Sequence, residues 1–428
     1  MSILTSKRST LQSAGLYLFA VLVALGPLNS KILAAAWLFF WAFGFWSAFK
    51  ARSTPPSLAN ADTLPAASAW LIACIISFVL ASIWALIWSE PVDTLNAQFR
   101  LLLPAAGALF LVRLGRPLST DVRTTLLHAI ALACAVAFAW TIILTVQGSS
   151  VRTSLATNAI PWAVVISFYT CLLLPAALTE KNSRLYRLIW LFGVTCGLGA
   201  VLLSQSRGAF LIIPWCALVY AWFWYRKCAQ GGSLRRTLVR LVSAIVVVLI
   251  CSWFGPGDIL RMHQAAQDIK QVQLSENYNT STGARLYLWE MAWDGIQQSP
   301  WIGIGSAERI RRIKHAGEGG TEEQLNKLQG VRVLSHVHNQ YLHSALDGGL
   351  VGLAAFLSLL IGLLIAVLRL RSVDPIAAWQ LGGVLFMHAT SNLTNVNFLH
   401  NYYVVALSLA VVLPLLGARR GCADKKIS

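Results

Sequence analysis

The chain is expected to be an all-α polytopic membrane protein, with about twelve transmembrane helices and a large helical loop outside the cytoplasm between spans nine and ten. Three observations lead there. Hydrophobic residues make up 57% of its 428 positions and charged residues only 12%, a balance far from that of soluble domains. Apolar runs of about twenty residues recur from end to end, near the length a helix needs to cross roughly 30 Å of hydrocarbon. The runs are continuous rather than alternating, which argues against a porin-type barrel. Disordered, collagen-like and soluble chains are excluded by the same density of apolar residues.

The spans fall near 12–29, 32–49, 66–88, 98–112, 124–147, 158–179, 186–204, 208–225, 238–254, 338–368, 376–393 and 399–416. Residues 1–254 thus carry spans one to nine, 255–337 form the loop domain, 338–418 carry spans ten to twelve, and 419–428 are a tail. Lys7 and Arg8 before a short apolar run imitate a signal peptide. Lys31 and a second span follow directly, so the first helix reads as retained.

The 34 Lys and Arg outnumber 17 Asp and Glu, for a net charge of +17, which in a soluble protein would suggest nucleic acid as partner. Position along the chain decides otherwise. With the N-terminus in the cytoplasm, the short loops on that side hold Lys50, Arg52, Arg113, Arg116, Arg123, Lys181, Arg184, Arg187, Arg226, Arg235, Arg236, Arg240, Arg369 and Arg371. The opposite short loops hold few basic residues, such as Lys31. The excess is therefore topological, and no nucleic-acid partner is expected. Among 17 Trp, those at 37, 46, 88, 222, 224 and 253 fall near span ends and read as interfacial anchors. Six of eight Cys lie in spans and no Cys-x-x-Cys pair occurs, so they read as reduced thiols and small core residues.

Hydropathy collapses between 255 and 337, where acidic and basic residues are nearly balanced. A helix from Arg285 to Gln298 puts Leu286, Trp289, Trp293 and Ile296 on one face, and Thr321 with Gln324 forms a capping box for another. A loop this long in a compact protein is usually functional.

Polar residues concentrate at the outer face. Arg285 follows Ser281, Thr282 and Gly283 at a helix start, where free amides also favour anions; it reads as a phosphate clamp or as a partner of Glu290 or lipid headgroups. Arg207, in the outward turn Ser206-Arg207-Gly208, either meets an anionic ligand or snorkels to lipid phosphate. Arg100 and Arg152 belong to the same class, and four outward arginines strengthen the anion reading. The run His336-Val-His338-Asn339-Gln-Tyr341-Leu-His343 supplies candidate proton acceptors. A metal site is disfavoured there, because His338 and His343 are five apart and no Asp-x-Asp or Asp-Asp pair occurs in any outward segment. Asn339, His343 and Asp347 form a polar stripe into span ten. On a regular helix Asp347 faces away from His338, and so is expected to pair with the polar end of span eleven: His388, Ser391, Asn392, Asn395, Asn397, His400 and Asn401. These polar residues read as a sugar-compatible pocket or as interhelical hydrogen bonds.

Ser206-Arg207-Gly208, Ser281-x-Gly283-x-Arg285-Leu286-x-x-Trp289 with Pro300-x-x-Gly303-x-Gly305, and His338-Asn339-x-Tyr341-Leu342 together resemble the O-antigen ligase family. That family lies in the superfamily of O-antigen polymerases and O-linked oligosaccharyltransferases. The chain departs from its pattern at Ala209, where a second glycine is common, and at Ala159, where Asn-Pro often stands. The resemblance implies a GT-C-like inverting glycosyltransferase in the bacterial inner membrane, with its active site facing the periplasm. The implied donor is an undecaprenyl-pyrophosphate-linked polysaccharide and the implied acceptor a sugar of lipid A-core, with no metal or cofactor. His338 would be the base, with Arg285, Arg207, Ser206, Arg100 and Arg152 on the pyrophosphate. Asn339, Tyr341, His336, Asn158 and Asn392 would line the pocket. An oligosaccharyltransferase or polymerase differs only in acceptor. A lipid or solute transporter is the alternative from another class, for which no inverted repeat or matched pair of broken helices is apparent.

Overall fold

The computed structural model describes residues 2–50, 62–114, 120–179, 183–229 and 262–418. Predicted span nine lies outside them. In chain order the helices are α1 (Ser2–Leu25), α2 (Ser30–Lys50), α3 (Leu64–Ile87), α4 (Asn96–Arg113), α5 (Thr120–Val146), α6 (Ala159–Leu178), α7 (Arg184–Leu203) and α8 (Ile212–Ala229). There follow α9 (Met262–Ser275), α10 (Ser281–Gln298), α11 (Gly305–Lys314), α12 (Glu322–Lys327), α13 (Gln329–Arg332), α14 (Gln340–Leu370), α15 (Pro375–Ser391) and α16 (Asn401–Gly417). No strand occurs among the described residues. Among the described residues, seven helices are long and apolar enough to cross a membrane, and three shorter apolar ones coincide with predicted spans one, two and twelve.

Helix α6 is the axis of the bundle, packed by α5, α7, α8, α15 and α16. It is apolar all round because it is enclosed all round. Small residues let its neighbours close in, as membrane helices require when no hydrophobic force separates protein from lipid. A methyl group at Gly193 of α7 would meet Ala131 of α5 at 2.7 Å, and one at Gly362 of α14 would meet Ala73 of α3 at 2.2 Å. Trp37 donates from Nε1 to Ser408 Oγ of α16 at 2.9 Å.

Span ten is not continuous. Helix α14 breaks at Gly349, whose φ of 58° and ψ of −147° only glycine adopts readily. The break frees backbone groups that a membrane setting cannot leave bare. The turn after α10 satisfies them. Leu350 N donates to Pro300 O at 2.8 Å, Val351 N to Trp301 O at 3.3 Å, and Ile304 N to Leu346 O at 2.8 Å. Trp84 Nε1 of α3 donates to Asp347 O at 2.6 Å, and Trp88 Nε1 to Ile302 O at 2.8 Å. Trp88 is thus a clasp on the 262–339 domain as well as a span-end aromatic. A methyl group at Gly349 would lie 2.3 Å from the Trp301 carbonyl carbon. Gly349→Ala is expected to destabilise the protein by more than about 1 kcal/mol, combining a positive φ with a backbone clash. Thermal unfolding of the detergent-solubilised variant measures it, and an unchanged midpoint refutes the clasp.

The domain between α9 and α14 has its own small core: Ala284, Leu288 and Ala292 of α10 with Ile304, Ile313, Leu328, Val331, Val337 and Leu346. The buried face of α10 is Ala284, Leu288, Ala292 and Gly295, while Leu286, Trp289 and Ile296 of the predicted apolar face are half-buried. Trp293 is exposed. Short side chains won the inner face because α10 packs closely there, where Leu346 and Ile304 would touch any Cβ at Gly295. The capping box of Thr321 and Gln324 is present.

Candidate active site

Asn339 starts α14 as its N-cap, its side-chain oxygen accepting from Tyr341 N at 2.9 Å and Leu342 N at 3.2 Å. The preceding residue, His338, is held at φ 54°. For a non-glycine residue that conformation costs of order 1–3 kcal/mol and persists only where the surroundings over-determine it. They do so here. Trp289 Nε1 donates to Val337 O at 2.9 Å, Arg309 Nη1 donates to Ser335 O, and Gln340 N donates to Asn392 O at 2.8 Å.

This loop sets the His336 and His338 rings edge to face, with centroids 4.2 Å apart. Burial pushes the His338 imidazole down to about 3; His336 and Arg285 push the same way, against a hydrogen bond with Asn395. His336 is lowered by burial first, then by Arg309 and Arg285 against its own backbone. His400 is lowered to about 4, by burial and then by His336. Each ring is therefore neutral near pH 7 and available to accept a proton. The unfolded chain, with histidine near 6.5, binds protons that the folded site refuses. Stability from these groups is complete above pH 6.5 and is expected to decline as pH falls from there toward 3. Unfolding midpoints across that range check this, and His338→Ala should flatten the slope.

Arg285 stands one turn inside α10 rather than at its start, since Thr280 is the N-cap and accepts from Gly283 N at 3.0 Å. Its charge reaches both His336 and His338. The Ser206-Arg207-Gly208 turn arrives from the other side. Gln205 at φ 54° turns the chain, and a Cβ at Gly208 would touch Thr394 Oγ1 at 2.2 Å. Thr394 adjoins Asn395, the partner of His338. Arg152 Nη1 approaches Gln205 O at 3.5 Å, so it joins the same corner. The Ser206–Gly208 turn, with Arg152 bonded to it, thus packs beside the neighbour of Asn395, while Arg285 acts on His336 and His338 by its charge.

The remaining candidates sit differently. Ser206 is buried and its hydroxyl donates within the turn, to Ser204 O at 3.4 Å. Asn158 caps α6, accepting from Ile160 N at 3.0 Å. Tyr341 donates its hydroxyl to Ala389 O at 3.0 Å. Asn392 is fully buried, donating to His388 O at 2.6 Å and facing Tyr403 Oη at 3.4 Å. Arg100, half-buried on α4, makes no hydrogen bond or ion pair among the described residues. Asp347 does not pair with the polar end of span eleven. It accepts from Arg309 Nε at 2.7 Å and lies 3.6 Å from His343 Nε2 one turn earlier, because α11 packs against this face of α14. Arg309 was not anticipated, although it shares the buried face of α11 with Gly305 and Ile313 at helical spacing. Among the described residues no group of three or more His, Cys, Asp and Glu is arranged to hold a metal.

Residues 192–357 match a family model described as O-antigen ligase. A relative from Haemophilus influenzae, described as an uncharacterized protein, is 28% identical over 178 residues, 40% of this chain and 42% of that one. The aligned stretch spans less than half of the relative. Arg207, Arg285 and His338 all fall within the matched family segment. Residues 192–357 of this multi-pass helical protein are thus similar to the O-antigen ligase family.

Proposed function

We propose that the protein is an O-antigen ligase, transferring a polysaccharide from undecaprenyl pyrophosphate to a lipid A-core sugar at the periplasmic face of the bacterial inner membrane. What supports this is a strained His338 that bonds Asn395 and feels the charge of Arg285, with the Arg207 turn packed on Thr394, the neighbour of Asn395. The acceptor hydroxyl oxygen attacks the anomeric carbon as the bond to pyrophosphate breaks, inverting that centre. The electron pair leaves with the lipid pyrophosphate, whose growing charge the arginines stabilise. The hydroxyl proton passes to His338. A donor that brings its own negative charge beside His338 raises the affinity of that ring for the proton, offsetting the burial that lowers it in the empty site.

The test is purified protein in lipid, given a polyprenyl-pyrophosphate glycan with lipid A-core and an acceptor peptide side by side, chelator present. Glycosylated lipid A-core alone is expected. Product on the peptide would move the assignment to the oligosaccharyltransferases, and chain extension of the donor glycan to the polymerases. No product would leave the transporter reading ahead.

A further inference from the structure

The Arg309–Asp347 pair lies outside the side chains given a part in the reaction. Both side chains are buried, 7% and 6% exposed, and they meet at 2.7 Å. A buried pair is a poor means of stabilising a fold, because the desolvation of two charges offsets their attraction and an apolar pair of similar size often serves as well. The second bond of Arg309 suggests another use. Its Nη1 donates to Ser335 O, three residues before His338.

Asp347 is itself immobilised. Its carbonyl accepts from Trp84, its carboxylate faces His343, and the backbone beyond it is tied to the turn after α10. On the domain side, Glu90 accepts from Ser306 N at 2.7 Å at the start of α11, which seats the helix that carries Arg309. A planar guanidinium can hold a carboxylate and a carbonyl at fixed angles, which an ammonium cannot.

We propose that Arg309 is the positioning residue of the base: anchored on Asp347 of span ten, it grips Ser335 O and fixes the backbone that aims His338. With Trp289 on Val337 O, two donors then hold the loop on the approach to the left-handed residue. The catalytic half of this inference rests on His338 being the base; the loop-holding half does not.

The experiment compares Arg309→Lys and the double variant Arg309→Met/Asp347→Leu with the unaltered full-length protein in lipid. The apolar double variant removes the grip without leaving a lone buried charge beside the cavity of about 130 Å³ lined by Arg309, His343 and Asp347. Amide exchange across 335–339 is expected to quicken at least tenfold in it while that of α6 stays unchanged; equal exchange in the loop overturns the proposal whatever the reaction. In the transfer assay kcat should fall ten- to hundredfold in both variants with donor KM within about twofold. In a His338→Ala background the same changes should cost nothing further, since residues acting as one unit are not additive. Full kcat in a folded double variant, or an undiminished extra loss in that background, overturns it.

Discussion

Replacing His338 by Ala is expected to lower turnover by about two to four orders of magnitude, the range that a positioned base contributes. The substitution is well suited to the question. Alanine retains a Cβ, so the φ of 54° is no easier or harder to hold, and the bonds from Trp289 and Arg309 reach backbone oxygens that the variant retains. What disappears is the imidazole. Turnover per folded molecule equal to that of the unaltered protein would remove His338 from the chemistry. The pH profile adds a second reading. In the empty site the ring is held at about 3, so the acidic limb of kcat/KM, which reports the free enzyme, should not fall until pH is well below 6. The limb of kcat, which reports the donor complex, should lie at higher pH because the bound pyrophosphate favours the imidazolium.

Arg285→Lys is expected to raise donor KM roughly ten- to hundredfold, the equivalent of losing about 1.5–3 kcal/mol of charge-assisted hydrogen bonding. Arg285 also acts on the base through space, since its charge depresses His338. The two roles separate cleanly. Lysine keeps the charge and loses the fork, so donor binding should weaken while the kcat/KM limb stays where it was. Arg285→Gln loses both, and should also move that limb toward higher pH. Unchanged donor KM in the lysine variant would show that Arg285 does not grip phosphate with two donors.

Much of this was legible in local sequence. The apolar runs predict the described spans within a few residues, and Thr321 with Gln324 predicts its capping box. Arg207, Arg285 and His338 stood out because charge and histidine are conspicuous where the chain otherwise avoids both. The rest depended on packing. Leu286, Trp289, Trp293 and Ile296 form an apolar face by count, yet close packing selected the neighbouring small residues for burial. Asp347 pairs with Arg309 of α11 rather than with the polar end of span eleven, a contact 38 residues apart in the chain that helical spacing does not encode.

By itself, the sequence determined that the chain is helical, that it is built for a membrane and which side chains are chemically unusual. Those properties depend on composition and on residues within a turn or two of each other. The tertiary structure alone decided that span ten is broken, that Arg309 of α11 meets Asp347 of α14, and that His338 adopts a left-handed backbone. Each of those depends on groups far apart in the chain, 263 residues in the case of Trp84 and Asp347. Local propensity is blind to them, because a strained residue or a buried charge is tolerable only once distant donors and acceptors have been brought to it.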